Sequence, residues 1–196
     1  MAVEYFIFGL LVKIITGFDD TITNIPILAS VTKVRMGKIA FSIGSLVAII
    51  VAIIISILFA SILHGFPYYR YISAALIFIL AAMIYFDVFV HKPRTKAEQR
   101  LLRQQKVSAE RFTHLIGIGF LASIATVLDD IIAYLPLFLA SVAESIYAIA
   151  GIIAATIIEI LAVVYFSTFV ARIRYKEEIA SAGLVVLGIL ILAGIL

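Results

Sequence analysis

Two stretches of this chain carry adjacent aspartates inside runs of apolar residues. The first pair is Asp19 and Asp20, and the second is Asp129 and Asp130. At the centre of a membrane helix an aspartate opposes insertion by about 2.5–3.5 kcal/mol, whereas each leucine or isoleucine favours it by only about 0.3–0.6 kcal/mol. Acids kept at such a cost usually mark an ion or proton pathway. Both pairs are therefore candidate cation-binding residues.

The same pattern of oxygen-bearing groups surrounds both aspartate pairs. A threonine stands three residues before each pair, at Thr16 and Thr126, and helical spacing places it on the face of the carboxylates. A proline follows each pair after five further residues, at Pro26 and Pro136, and releases a backbone carbonyl one turn earlier. The other polar side chains at helical spacing from the aspartates are Thr23, Asn24 and Tyr134.

Together these groups form an all-oxygen ligand set, which predicts a hard or borderline divalent cation. Mn²⁺, Ca²⁺, Cd²⁺, Mg²⁺ and Fe²⁺ all stay open, with the metal as transported substrate and no organic cofactor. Four carboxylates around one dication leave surplus negative charge. We therefore expect some of them to be protonated without metal and to release protons when it binds. A single pair could instead cap or kink a helix, but the equivalent placement of two pairs argues against that interpretation.

The composition predicts a polytopic membrane protein. The chain has 196 residues, of which 64% are hydrophobic and 14% charged, and its mean hydropathy is +1.21. This leaves too little polar surface for a soluble domain. The net charge of +3 is assigned to membrane topology and not to nucleic-acid binding. The absence of cysteine excludes disulfides and thiolate metal sites.

Six apolar stretches predict an all-α fold of six transmembrane helices. They cover residues 4–31, 38–63, 71–90, 112–142, 146–171 and 179–196. A bilayer core takes about 20 helical residues per crossing, so six crossings and short loops fill the chain. The first and fourth stretches contain Pro26 and Pro136, and we expect these two helices to be kinked or broken at the proline.

Basic residues lie in alternate loops, which predicts the orientation of the chain. The first, third and fifth loops are basic, whereas the second contains only Arg70 and the fourth contains Glu144 without a basic residue. By the positive-inside rule the odd loops face the cytoplasm and both termini lie outside. We expect a multi-pass protein in the plasma membrane of a prokaryote, with a homodimer left open.

The duplicated motif divides the chain into two three-helix repeats, residues 1–90 and 112–196, joined by a basic cytoplasmic linker at 91–111. Further matched positions are Gly9 with Gly119 and Ile14 with Ile124. Because each repeat crosses the membrane an odd number of times, the second must be inverted relative to the first. Inverted repeats place their substrate site near the bilayer midplane.

Two other charged residues in the apolar stretches are candidates for proton coupling. Lys13 lies seven residues before Asp20, on the same helical face. It could be the counter-ion of the carboxylates in the absence of metal, or it could extend to the headgroups. Glu159 lies near the middle of the fifth stretch, one turn after Thr156. It is a candidate fifth acid, as a ligand or as a proton carrier.

The chain resembles the lysine-exporter (LysE) superfamily, which is similar in its six helices, inverted repeats and acidic motifs in the first and fourth helices. Residues 17–21 (GFDDT) and 127–131 (VLDDI) are most similar to the paired-acid motifs of the cadmium-resistance transporters. They are also similar to the E-x-G-D-[KR]-[ST] motifs of the calcium/manganese exchangers. The resemblance implies export of a divalent cation against protons, with the four aspartates as ligands. Since this chain has D-D and no cysteine, neither family's ion preference is carried over.

We therefore expect a secondary transporter, not an enzyme, that exports a divalent cation in exchange for protons. The first alternative is an exporter of amino acids or other small organic cations, because carboxylates also bind ammonium groups. The second is an intramembrane enzyme, because paired aspartates serve aspartyl proteolysis and Mg²⁺-assisted prenyl transfer. Prenyl transfer normally needs a later acid in a D-D-x-x-D or D-x-x-x-D motif, which neither stretch supplies.

Overall fold

The computed structural model describes residues 2–31, 35–86, 116–117, 120–121, 123, 128–139, 141–170 and 176–194. Within these ranges the side chains of 2, 18–31, 35–37, 128, 163–170 and 176–177 are outside the description. The described part contains helices and no strand, as predicted. Its six helices are α1 (Ala2–Val31), α2 (Arg35–Leu63), α3 (Tyr69–Tyr85), α4 (Leu128–Phe138), α5 (Val142–Val170) and α6 (Lys176–Ala193).

The two prolines differ in what they do to their helices. The backbone of α1 stays helical through Pro26 as far as Val31. Of the two expected outcomes, a kink or a break, the break does not occur. In α4, Pro136 lies in the last turn, and the helix ends two residues later at Phe138. Pro136 has no N–H to donate to the carbonyl four residues earlier, and its position just before the helix end agrees with the tendency of proline to interrupt a helix.

The boundary between α4 and α5 is set by a capping box that the sequence analysis did not use. Ser141 N donates to Glu144 Oε2 at 2.9 Å, and Glu144 N donates to Ser141 Oγ at 3.4 Å. Such reciprocal bonds satisfy amide groups that the first helical turn leaves without partners. As a result α5 begins at Val142, where we expected the fourth apolar stretch to end.

Helices α1 and α5 run in the same direction and lie unusually close together. A Cβ at Gly9 would overlap the backbone of Ala148, and a Cβ at Gly151 would overlap the backbone of Phe6 and Leu10. Small residues allow this approach, as is common between membrane helices. The contact continues to Gly17, which lies against Glu159.

Helix α2 packs against the fourth apolar stretch in the same direction. Ser56 Oγ of α2 donates to the carbonyl of Ile131 in α4 at 3.0 Å, and Ser123 Oγ donates to Ser45 Oγ at 2.8 Å. Residue numbers therefore increase together along α2 and the fourth apolar stretch.

Helix α3 pairs with α6 in the opposite sense. Arg70 Nε donates to the carbonyl of Ile191 at 2.7 Å, and Ser181 Oγ donates to the carbonyl of Ala81 at 3.0 Å. Residue numbers therefore increase along α3 as they decrease along α6.

The bundle has an apolar interior and apolar outer faces. Ile77, Ile152 and Leu184 are among its fully buried residues. Along nearly the whole of α2, large apolar residues at helical spacing are 39–64% exposed: Ile39, Ile43, Val47, Ile50, Ile54, Leu58 and Ile62. A continuous stripe of exposed apolar side chains is unfavourable in contact with water. The segments Lys38–Leu63 and Val142–Ala162 are long and apolar enough to cross a membrane, which is weak evidence for membrane association.

Candidate functional site

A buried ion pair joins the N-terminal half of α1 to α4. Lys13 Nζ lies 2.8 Å from Asp130 Oδ2, with the side chains only 2% and 0% exposed. Removing two charged groups from water costs several kcal/mol for each ion, so a buried pair requires well-placed partners. Of the two readings of Lys13 that the sequence left open, the geometry agrees with the counter-ion. Its ammonium group does not extend to the surface.

Thr16 holds the other oxygen of the Asp130 carboxylate. Its hydroxyl donates to Asp130 Oδ1, and it also lies 3.1 Å and 3.3 Å from the carbonyls of Val12 and Lys13 in its own helix. Thr16 is buried between its own helix and the carboxylate, and its supporting role at a metal site stays a prediction. Both oxygens of Asp130 thus have a partner on α1.

Glu159 brings a second carboxylate to the same ammonium group. Its Oε2 lies 3.4 Å from Lys13 Nζ, and its side chain is 16% exposed. The other oxygen, Oε1, has no hydrogen-bond partner among the described residues. Lys13 is therefore shared between an acid of α4 and an acid of α5. Three helices meet at one polar cluster, which we call the Lys13 cluster: Lys13, Thr16, Asp130 and Glu159.

Gly17 is the residue that admits Glu159 to the cluster. A Cβ at this position would overlap the carboxylate of Glu159. The motif of the second repeat has Val127 at the corresponding position. Gly17 is part of the acidic motif, but no role was predicted for it from the sequence. The difference between glycine and valine was the only signal that could have revealed one.

Asp129 and Tyr134 also lie in the interior beside the cluster. Asp129 is 5% exposed and Tyr134 is not exposed. The Tyr134 ring lies edge-on to Phe138, with 6.5 Å between centroids. Because Tyr134 follows Asp130 by one helical turn, the two side chains share a face of α4.

The other predicted site residues fall outside the description. Asp19, Asp20, Thr23 and Asn24 lie on a helical backbone whose side chains are not described, and nothing is described of Thr126. The predicted meeting of all four aspartates therefore stays a prediction. Among the described residues there is no group of three or more histidine, cysteine or acidic residues that could hold a metal ion.

The two predicted repeats differ at the position of the lysine. Ser123 lies 110 residues after Lys13, the same separation that relates Asp130 to Asp20. Ser123 is buried and donates a hydrogen bond to Ser45 Oγ. Lys13 thus places a buried positive charge in the first predicted repeat, while the matching position of the second predicted repeat is a neutral hydroxyl.

A cavity of about 200 Å³ lies near one end of the bundle, and the residues that line it include Tyr5, Tyr69, Arg70, Ser73 and Pro136. Neither Lys13 nor Asp130 lines it. Pro136 follows Asp130 by six residues, which is about 9 Å along a helix axis. The cavity is therefore separate from the Lys13 cluster.

Comparisons of the chain with known protein families, with curated proteins and with solved structures find no match.

Proposed function

We propose that this protein is a secondary transporter that moves a divalent cation across a membrane, with Asp130 as a ligand of the cation. The observation that carries the proposal is a fully buried carboxylate whose present partner is itself a cation, the ammonium group of Lys13. A site that stabilises a buried positive charge between two acids has the electrostatics required for a transported cation.

Membrane insertion is part of the proposal. It is supported by the exposed apolar stripe along α2 and by two segments of sufficient length and apolarity. The six apolar stretches support six crossings, and the charge of the loops supports termini outside and a cytoplasmic basic linker at 91–111.

The directions of the helices support two inverted three-helix repeats. Alternating crossings require α1 and α5 to be parallel, α2 and α4 to be parallel, and α3 and α6 to be antiparallel. All three relations agree with the observed contacts. A two-fold axis in the membrane plane would also exchange the α1–α5 pair with the α4–α2 pair. It would map the α3–α6 pair onto itself.

In this proposal Asp19, Asp20 and Asp129 join Asp130 as ligands, and Thr16 supports them. Protons bound to the acids in the cation-free protein leave when the dication enters, which couples export to proton entry. Membership of the lysine-exporter superfamily is part of the same proposal and rests on the two acidic motifs and the repeat architecture.

One observation favours a second candidate function, the export of amino acids or small organic cations. The group that occupies the space between Asp130 and Glu159 is an alkylammonium. A free ammonium-bearing substrate would form the same two contacts. A dication is coordinated more closely by carboxylate oxygens than an ammonium group is. The two candidate functions are therefore distinguished by measuring which cation the protein transports.

Transport into proteoliposomes tests the proposal. We expect Mn²⁺ flux that depends on a pH gradient and falls at least tenfold in Asp20→Asn and in Asp130→Asn. Glu144→Gln is the matched control, because it converts an acid to an amide at the exposed start of α5. Unchanged flux in both aspartate variants would overturn the proposal. Flux of lysine without flux of any divalent cation would establish the second candidate instead.

A further inference from the structure

We propose that Lys13 is a built-in competitor of the transported cation: its ammonium group pairs with Asp130 and Glu159 in the cation-free protein and leaves them when a divalent cation binds. This inference rests on the proposed function and adds a specificity-determining residue to it. Lys13 would be the element that excludes monovalent cations from the site.

The position of the Lys13 ammonium group supports this competition. Lys13 Nζ lies within 2.8 Å of Asp130 and 3.4 Å of Glu159, so it occupies the space between the two carboxylates. A second cation coordinated by Asp130 would lie within a few ångströms of the ammonium group. In a medium of low dielectric constant that repulsion is strong, and the two cations exclude each other.

The Lys13 side chain is able to move away from the two carboxylates. Its charge is carried on a flexible four-carbon chain, and the ammonium group makes point-charge contacts rather than a rigid fork.

The two predicted repeats differ in charge at the position of Lys13. At the position that corresponds to Lys13, the second repeat has Ser123, whose hydroxyl donates a hydrogen bond to Ser45 Oγ. A shared structural requirement of the two repeats does not explain a lysine in only one of them. A counter-charge that acts on a single cation site needs only one.

Selectivity follows from the charges. A monovalent cation brings no more charge than the ammonium group it must displace, and it competes against a group tethered at high effective concentration. A divalent cation brings twice that charge to the same carboxylates. Lys13 therefore penalises Na⁺ and K⁺ far more than Mn²⁺ or Ca²⁺.

Cation binding to the purified full-length protein tests the inference. We compare wild type, Lys13→Met and Lys13→Arg, with Lys38→Met as a control lysine that lies outside the cluster, near the start of α2. Calorimetry measures the dissociation constant of Mn²⁺ at low and high Na⁺, with choline chloride holding the ionic strength constant.

We expect Lys13→Met to bind Mn²⁺ at least about tenfold more tightly at low Na⁺, because the competing charge is gone. We also expect added Na⁺ to weaken Mn²⁺ binding in Lys13→Met and not in wild type, Lys13→Arg or Lys38→Met. A purely structural role for Lys13 would not create competition by Na⁺. Equal or weaker Mn²⁺ binding in folded Lys13→Met, without competition by Na⁺, would overturn the inference.

A measurement on the unmutated protein covers the case in which Lys13→Met does not fold. The lysine side chains are labelled with ¹³C at Cε, and the Lys13 signal is identified by its loss in Lys13→Arg. Saturating Ca²⁺ should shift this signal and leave those of the other lysines in place. An unshifted Lys13 signal with Ca²⁺ bound contradicts the inference alone. Failure of Mn²⁺, Ca²⁺ and Cd²⁺ to bind any variant contradicts the proposed function as well.

Discussion

Glu159 reaches the polar cluster because Gly17 has no side chain. The carboxylate of Glu159 lies against the α1 backbone where a Cβ at Gly17 would overlap it. From there Oε2 reaches to 3.4 Å from Lys13 Nζ. The close approach of α1 and α5 therefore brings a second acid to the lysine, beside Asp130 of α4.

Gly17→Ala should disturb the site directly. The added methyl group forces Glu159 away from Lys13 or separates α1 from α5, and such overpacking costs about 1–3 kcal/mol. We expect a lower thermal unfolding temperature and at least a tenfold loss of Mn²⁺ flux. The control is Gly65→Ala, since a Cβ there meets only the Ile62 carbonyl at 3.4 Å. Equal behaviour of the two variants would show that the contact with Glu159 has no consequence.

Asp130→Asn should destabilise the protein by about 3–5 kcal/mol, because it removes a charged partner of a buried lysine. Adding Lys13→Met should recover a large part of this loss, since the buried positive charge is then absent as well. Unfolding titrations of the two single variants and the double variant measure the coupling energy. If the two effects simply add, the ion pair is not an energetic unit.

Thr16→Val should weaken the hold of α1 on Asp130. It keeps the shape of the side chain and removes the hydroxyl that donates to the carboxylate, at a cost of about 1–3 kcal/mol. Thr156→Val is a matched control, because that buried hydroxyl donates only to the Ile152 carbonyl of its own helix at 2.9 Å. Stability and Mn²⁺ affinity are measured for both. A larger effect of Thr156→Val on Mn²⁺ affinity would argue against a role for Thr16.

The chain has no cysteine, so its topology can be tested with single introduced cysteines. Gly65 lies between α2 and α3, and Ser141 lies just before α5, both in loops assigned to the outside. Each is changed to cysteine in a separate variant. A membrane-impermeant maleimide should label both in intact cells. It should label Lys96→Cys in the 91–111 linker only after the membrane is opened. The reverse pattern would invert the proposed orientation, and labelling of all three from outside would contradict the six-crossing arrangement.

The helical class and most helix positions could be predicted from the sequence, because apolar runs broken by charged loops allow few other structures in lipid. The ends of α4 and α5 were less predictable. Pro136 and the capping box of Ser141 with Glu144 both act over a few residues, and they shift the boundary that hydropathy alone suggests.

The site was predicted in part. Thr16, Asp130, Lys13 and Glu159 were all candidates, and Lys13 was a possible counter-ion of the carboxylates. Its pairing with Asp130 and Glu159 in particular was not predicted. Their meeting depends on α5 lying beside α1, which no local pattern encodes. The role of Gly17 depends on the same packing. A single sequence shows which residues are unusual in lipid, but partners on distant helices follow only from the assembled bundle.

The most direct test is a crystal structure of the protein soaked in Mn²⁺, with the metal located by anomalous scattering. The proposed transporter predicts a peak at about 2.0–2.6 Å from a carboxylate oxygen of Asp130, in the range of divalent-cation coordination by oxygen. It also predicts that Lys13 Nζ no longer contacts this carboxylate. An occupied metal site confined to the protein surface, with the Lys13–Asp130 pair intact, would contradict the account.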